Sequence, residues 1–214
     1  MTEVPESFTG EFAHTAGASV HRVTSAESTL DISTWDAALS LDDFIAQATV
    51  HQGLWQTTRR LAQVSNADAA AVRSLTSPLR LLVLLEDWCG DAIHTIPVVL
   101  RLVESNPSLM LRVVRRDTHD ALMNTHLTGA SRAIPVVIVY DASGQERGWW
   151  GPRPSALDAW VSTEGHAMEP ADRSRAMRHW YERDGGATTA ADLLTLLQHA
   201  DVPAVVRQTN PSER

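Results

Sequence analysis

Apolar residues recur at helical spacing from residue 41 onward, and the pattern predicts helices ahead of the first buried strand. That stripe consists of Leu41, Phe44, Ile45, Val50, Leu54 and Leu61. Ser40 followed by Asp43 resembles a capping box, so a helix is predicted to start at residue 41 and continue to about 61. A second, short helix is predicted over residues 66–75. Residues 1–39 show little periodicity and are expected to be irregular, with a short strand around residues 20–23.

Three apolar runs predict the central strands of a sheet, at residues 79–85, 109–115 and 133–140. The first run is continuously apolar, as is typical of a strand buried on both faces of a mostly parallel sheet. A turn at residues 141–144 joins the third strand to a fourth at 145–150, which predicts a hairpin.

Helices are predicted between and after these strands. The helix after residue 89 carries an apolar face and contains Pro97, where we expect a kink. Residues 120–127 form a further short helix in this interpretation. The last predicted helices lie at 155–163, 170–183 and 189–200. We therefore divide the chain into an irregular segment (1–39), a helical extension (40–78), an α/β core (79–164), and a helical extension with a tail (165–214).

Composition excludes several classes of function. With 214 residues, of which 43% are hydrophobic and 21% charged, the chain is predicted to form one domain of ordinary size. The net charge of −8 and the scattered basic residues argue against nucleic acid binding. No stretch resembles a signal peptide or a membrane span, so we expect a cytoplasmic protein with no membrane partner. None of the 18 basic residues is lysine, which excludes lysine Schiff-base chemistry.

The only cysteine, Cys89, stands where the first buried strand gives way to a helix. Unpaired N–H groups and the helix dipole at such a position lower the pKa of a thiol. Asp91 lies in the same turn, and a nearby carboxylate raises the pKa of a thiol, so the sequence leaves the balance open. One cysteine and nine histidines without ligand spacing predict no intramolecular disulfide, no metal site and no cofactor.

The motifs around Cys89 resemble those of the thioredoxin family. Trp88, Cys89, Gly90 and Asp91 resemble the family's active-site turn, and Ile134-Pro135 occupies the place of its cis-proline. A bacterial group of thioredoxin-like proteins is similar in three elements: Glu-Asp-Trp-Cys-Gly-Asp (86–91), Ile-Pro, and Trp-Gly-Pro-Arg-Pro (150–154). This resemblance, over about residues 79–163, implies a thioredoxin fold: a central mixed β-sheet flanked by helices, here with additional helices at both ends.

Two departures limit what the resemblance implies. The family's second cysteine is replaced by Ala92, and the acid six residues before the nucleophile is replaced by Val83. The resemblance thus implies a monothiol oxidoreductase, in which Cys89 forms a mixed disulfide that an external thiol must resolve. A disulfide-containing protein or a low-molecular-weight thiol such as glutathione would be its partner, with Ile134 and Pro135 orienting an extended substrate. The alternative is a non-catalytic peptide- or protein-binding module with an unreactive Cys89.

Several side chains near the motif have two interpretations from sequence. Asp91 either tunes the thiol or stabilises the first helical turn. Arg153 either meets an anionic group at the rim of the active-site groove or is an exposed arginine beside the hairpin. His94 lies five residues after Cys89, which turns it away along a helix and favours a structural role. Trp180 and Tyr181 are assigned to core burial rather than to a dimer contact. The oligomeric state is unknown from sequence.

Overall fold

The computed structural model describes residues 19–22 and 28–201. The strands are β1 (Val20–Arg22), β2 (Leu79–Leu85), β3 (Leu109–Arg115), β4 (Val136–Tyr140) and β5 (Glu146–Trp150). The helices are α1 (Ile32–Ala37), α2 (Leu41–Gln47), α3 (Gln52–Leu61), α4 (Asn66–Arg73), α5 (Gly90–Val103), α6 (Asp120–Asn124), α7 (Ser155–Thr163), α8 (Pro170–Asp184) and α9 (Ala187–Ala200). Short 3-10 turns follow β3 at Arg116–Thr118 and α7 at Gly165–Ala167.

The strands form one mixed sheet in the order β1-β5-β4-β2-β3. β2 pairs in parallel with the edge strand β3 and antiparallel with the central strand β4, so it is an interior strand of the sheet. Its apolar residues are buried, because both neighbouring strands and the flanking helices exclude water from it. β4 and β5 form the predicted hairpin. The order of elements confirms the predicted thioredoxin fold with additional helices before β2 and after β5.

The stretch at residues 41–61 forms two helices, where the apolar pattern predicts one. α2 ends at Gln47, and α3 begins after His51, which has a left-handed φ of 56°. The interruption is held by a tertiary contact: the carboxylate of Asp87 accepts hydrogen bonds from the backbone N–H groups of Thr49 and Val50, at 2.8 and 3.2 Å. The apolar stripe is broken as well, since Val50, Leu54 and Leu61 are exposed.

Two other local differences have simple causes. Helix α1 lies in the segment expected to be irregular; it is capped by the side chain of Asp31 and buries Trp35, and it is too short to produce a period. β4 begins at Val136 rather than at residue 133, because the preceding Pro135 has no N–H to donate to the ladder. The sequence-based expectations for residues 1–18, 23–27 and 202–214 lie outside the described residues.

The main hydrophobic core lies between the sheet and helices α5 and α9. A smaller cluster joins α7 to α8 and contains Leu157, Trp160, Trp180 and Tyr181. Trp180 and Tyr181 are thus buried within the chain, as predicted. Within the described ranges, no helix is both long and apolar enough to cross a membrane.

Candidate functional site

Cys89 caps the N-terminus of α5 and lies beside the strand that follows Pro135. The residue is 7% exposed, and its Sγ donates a hydrogen bond of 3.3 Å to the carbonyl oxygen of Ile134. The Ile134–Pro135 peptide bond is cis. The structure therefore brings the cysteine turn and the Ile134-Pro135 segment together, although 45 residues separate them in the chain.

Buried carboxylates immediately before the cysteine fix the turn from two sides. Glu86 accepts a hydrogen bond of 3.0 Å from the backbone N–H of Asp117 and forms an ion pair of 3.2 Å with Arg115. This contact ties the end of β2 to the segment after β3. Glu86 is 4% exposed, so its charge is compensated within the protein rather than by water.

Asp87 makes the second attachment, toward the N-terminal helical extension. Its carboxylate accepts the hydrogen bonds from the two backbone N–H groups between α2 and α3. Its backbone carbonyl oxygen accepts a further hydrogen bond of 2.9 Å from the indole N–H of Trp55. Burial alone raises the pKa of the Asp87 carboxyl, but the hydrogen bonds from Thr49 and Val50 outweigh it and hold the pKa below its usual range. Asp87 is therefore ionised and attaches the cysteine turn to the N-terminal helical extension.

The remaining motif residues occupy different environments. Trp88 is 46% exposed, and the guanidinium of Arg116 lies 4.9 Å from its ring centre. Gly90 is exposed, and an added Cβ there would meet no atom within 4 Å. Ala92 and Val83 are fully buried, so the positions of the family's second thiol and of its acid are both apolar here.

The side chain of Asp91 contacts two residues from distant parts of the chain. The hydroxyl of Tyr181, on α8, donates a hydrogen bond of 2.9 Å to its Oδ1. Nε of Arg153 lies 2.8 Å from its Oδ2, and Arg153 also contacts Asp158 at 3.4 Å. The anionic group that Arg153 contacts is therefore a carboxylate of the same chain, that of Asp91. The contacts with Arg153 and Tyr181 hold this carboxylate in addition to the N-terminus of α5.

The pKa of Cys89 settles the balance that the sequence leaves open. Burial of the thiol is the largest influence; together with the charge of Asp91, it raises the pKa to about 11. The N–H groups of Ala92 and Asp91 and the charge of Arg153 act in the other direction and do not compensate. The hydrogen bond to Ile134 also favours the neutral form, because only the protonated thiol can donate it. Of the two opposing influences that the sequence leaves open, the helix N-terminus is therefore the weaker one at this site.

Burial also raises the pKa of two acidic groups near the cysteine, the Asp91 carboxyl and the Tyr181 hydroxyl. It raises the pKa of the Asp91 carboxyl, while Arg153 and Tyr181 partly oppose the shift. It raises the pKa of the Tyr181 hydroxyl, which the neighbouring charge of Asp91 raises further. Tyr181 is therefore a neutral donor to Asp91 at physiological pH.

His94 is half-buried and does not contact the thiol. Its ring stacks on that of Tyr181, with centroids 4.7 Å apart and an angle of 12° between the planes. Burial lowers its pKa, so the ring is predominantly neutral near pH 7. This environment agrees with the structural role predicted from its position on the helix.

A pocket of about 350 Å³ opens beside the cysteine, between α3, the start of α5, and α8. Its wall includes Cys89 and Trp88, together with side chains that sequence reasoning missed. These are His51, Leu54, Met177 and Arg178. No local pattern could have identified them, since α3 and α8 reach the site only through tertiary packing. Among the residues that the structure describes, no group of three or more His, Cys, Asp or Glu side chains could hold a metal ion.

The fold and the Trp88-Cys89 turn facing Ile134 define a thioredoxin-like protein. A family model described as Thioredoxin matches residues 38–170, more than half of the chain, and the chain belongs to this thioredoxin family.

The solved structures that are similar to the chain include the two that follow, whereas no curated protein matches it significantly. A crystal structure of a protein of unknown function, PA1234 from Pseudomonas aeruginosa, has 20% identity and a TM-score of 0.65, and the match covers 81% of this chain and 99% of that one. A crystal structure of an HIV epitope-scaffold has 18% identity and a TM-score of 0.62, with 78% and 96% covered. At these identities the similarity supports the fold alone.

Proposed function

We propose that this protein is a monothiol thiol–disulfide oxidoreductase of a bacterial cytoplasm, with Cys89 as its nucleophile. The observation that carries the proposal is the placement of Cys89 Sγ at the start of α5, 3.3 Å from the carbonyl oxygen of Ile134 and in the wall of an open pocket. Cys89 belongs to the main hydrophobic core and at the same time borders this pocket. A disulfide can approach this one from the side of Trp88, which is exposed.

The absence of a second cysteine defines the reaction. The Cys89 thiolate attacks one sulfur of a substrate disulfide, whose S–S bond breaks, and the departing sulfur takes up a proton. The product is a mixed disulfide with Cys89. Because Ala92 replaces the resolving cysteine, an external thiol must attack this mixed disulfide. That thiol belongs to a partner protein or to a small molecule such as glutathione.

Ile134 and Pro135 orient the substrate in this proposal. In the resting state the carbonyl of Ile134 accepts the thiol proton of Cys89. Ionisation of Cys89 removes this hydrogen bond and leaves the carbonyl able to accept an N–H group from an extended peptide. Deprotonation of Cys89 and binding of the peptide therefore favour each other. A bound peptide donates to the Ile134 carbonyl, which otherwise stabilises the neutral thiol.

The raised pKa limits the resting reactivity. With a pKa of about 11, about one Cys89 thiol in 10⁴ is ionised at pH 7. A more basic thiolate is also a better nucleophile, by about threefold per pKa unit, and this recovers part of the loss. Relative to the ordinary thiol pKa of 9.0, the net penalty for Cys89 is about tenfold in rate.

The burial of Cys89 also favours a second candidate, a non-catalytic peptide- or protein-binding module with an unreactive thiol. In that case the exposed Trp88 and the Ile134-Pro135 segment would bind a partner without covalent chemistry. The two candidates differ in one property, which is whether Cys89 forms and releases mixed disulfides.

The deciding experiment measures reduction of a mixed disulfide between glutathione and a cysteine-containing peptide, with reduced glutathione as the reductant. The oxidoreductase proposal predicts a rate above the uncatalysed reaction, which Cys89→Ser returns to background. Ser is close in size to Cys, and circular dichroism checks that the variant is folded. A wild-type rate equal to background, with no covalent adduct on Cys89 by mass spectrometry, would reject the proposal and leave the binding module.

A further inference from the structure

The pocket beside Cys89 has properties that a thioredoxin core alone would not provide. Two of its three walls come from α3 and α8, which lie in the helical extensions. Leu54, Ile93 and Met177 give it apolar surface, and Cys89 contributes to its wall. Its volume of about 350 Å³ lies within the range of small-molecule sites, about 300 to 1,000 Å³, and suits a compound of tripeptide size.

The pocket wall carries a guanidinium that no carboxylate contacts. Arg178 lines the pocket from α8, is exposed, and forms no ion pair with any described residue. Arg175 on the same helix, by contrast, contacts Asp172 at 3.0 Å. The carboxylate of Asp91 also borders the pocket, but Arg153 and Tyr181 occupy its two oxygens. The charge of Glu182, four residues after Arg178, also acts on the pocket wall at His94. An entering ligand would therefore meet the guanidinium of Arg178 free of a direct ion pair.

We propose that this pocket binds an anionic low-molecular-weight thiol and its disulfide, and that this compound supplies the resolving thiol that Ala92 has removed. The inference rests on the proposed oxidoreductase function and names its partner class. Arg178 would pair with a carboxylate of the ligand, and Leu54 and Met177 would cover its carbon chain.

The chemistry balances with two molecules of the small thiol. The first thiolate attacks Cys89 Sγ of the mixed disulfide, which releases the reduced substrate and leaves the small thiol disulfide-bonded to Cys89. A second thiolate attacks the sulfur of the bound small thiol, which releases the small-molecule disulfide and restores Cys89. One substrate disulfide is reduced, two small thiols are oxidised, and each departing thiolate takes up a proton from solvent.

The experiment compares two small disulfides of opposite charge as probes of Cys89. Oxidised glutathione is anionic and cystamine is cationic, and mass spectrometry follows formation of each mixed disulfide. We expect Arg178→Gln to slow the reaction with oxidised glutathione by about threefold or more at low salt and not to slow that with cystamine. Arg175→Gln, on the same helix but paired with Asp172, is the matched control and should change neither rate.

A second variant tests the pocket by its shape. Leu54→Trp places a larger side chain in the pocket wall and should slow the reaction with oxidised glutathione more than that with iodoacetamide, which is small enough to reach the thiol in either protein.

Equal effects of Arg178→Gln on both disulfides, or none on either, would overturn the inference. If Cys89 reacts with peptide disulfides but not with oxidised glutathione, this inference fails and the oxidoreductase proposal stands. If Cys89 reacts with no disulfide, both fail.

Discussion

The hydroxyl of Tyr181 donates a hydrogen bond of 2.9 Å to the carboxylate of Asp91, across 90 residues of chain. Asp91 lies two residues after Cys89, so this contact joins the C-terminal extension to the first turn of the cysteine helix. Arg153 approaches the other oxygen of the same carboxylate at 2.8 Å. The contacts of the Asp91 carboxylate therefore join three segments: the α5 turn, the loop after β5, and α8.

Alkylation of Cys89 should report a pKa near 11. The rate of reaction with iodoacetamide is expected to rise with pH beyond pH 10, because burial and Asp91 keep the thiol protonated. A plateau below pH 9 would contradict this expectation.

The raised pKa of Cys89 also predicts how the stability of the protein depends on pH. Since the folded-state pKa is raised, the neutral thiol stabilises the folded protein below pH 9, and this contribution is lost as the pH rises toward 11. The free energy of unfolding should fall there by about 2 to 3 kcal/mol more in wild type than in Cys89→Ser.

Asp91→Asn should lower the pKa of Cys89. The substitution removes a negative charge next to the thiol and leaves Arg153 with Asp158 as its carboxylate partner, and both changes favour the thiolate. We expect a decrease of about one unit or more in the pH profile of alkylation. Arg153→Gln should act in the opposite direction. If Asp91→Asn leaves the profile in place, Asp91 does not influence the thiol through its charge.

Tyr181→Phe should destabilise the protein through Asp91 alone. The variant keeps the ring that stacks on His94 and packs on Trp180, but it leaves one carboxylate oxygen of Asp91 without its donor. A buried charged acceptor left in this way costs about 1 to 3 kcal/mol. Chemical denaturation of Tyr181→Phe, Asp91→Asn and the double variant gives the coupling energy between the two side chains. Additive single effects would mean that the hydrogen bond contributes nothing to stability.

Gly151→Ala should disrupt the segment that faces Cys89. Gly151 has φ of 145°, and a Cβ there would collide with the carbonyl oxygen of Pro135. Backbone cannot yield as a flexible side chain can, so we expect a large loss of stability and an altered environment at Cys89. Gly53→Ala is the control, because its added Cβ meets no atom within 4 Å and it lies in α3, where Ala is favoured by about 0.5 to 1 kcal/mol. Similar thermal midpoints for the two variants would contradict the prediction.

Ala92→Cys should restore a second thiol at the position where the family has one. Mild oxidation is expected to form an internal disulfide with Cys89, detectable as a loss of two mass units and of both free thiols. The added sulfur enters a fully buried position, so a moderate loss of stability, about 1 to 3 kcal/mol, is expected as well. The variant should then release a bound substrate without external thiol, and persistence of the mixed disulfide would show that the two sulfurs do not meet.

The elements with continuous or strictly periodic apolar patterns are predicted well from the sequence. β2, β3 and α7 have the predicted bounds. The apolar residues that such elements bury are consecutive or regularly spaced in the sequence, so the pattern shows where each element begins and ends. No local sequence pattern indicates the break between α2 and α3 at His51. The break depends on hydrogen bonds from Thr49 and Val50 to the carboxylate of Asp87, 38 and 37 residues away.

The chemistry of the site is less accessible from sequence than its location. Trp88, Cys89 and Ile134 are found by motif, and the structure brings Cys89 and Ile134 together. The pKa of the thiol is not encoded locally, because the burial that dominates it arises only when the chain is folded. The sequence therefore names two opposing local influences, the helix N-terminus and Asp91, and leaves the direction of the shift open.

The contact between Tyr181 and Asp91 has a consequence for comparing related proteins. The stretch shared with the family ends at residue 170, before the tyrosine. A comparison restricted to the Trp-Cys-Gly-Asp turn and the shared stretch thus leaves out a side chain that in this chain contacts the aspartate of the turn. Any comparison of this turn between members must therefore include the residues after the shared stretch.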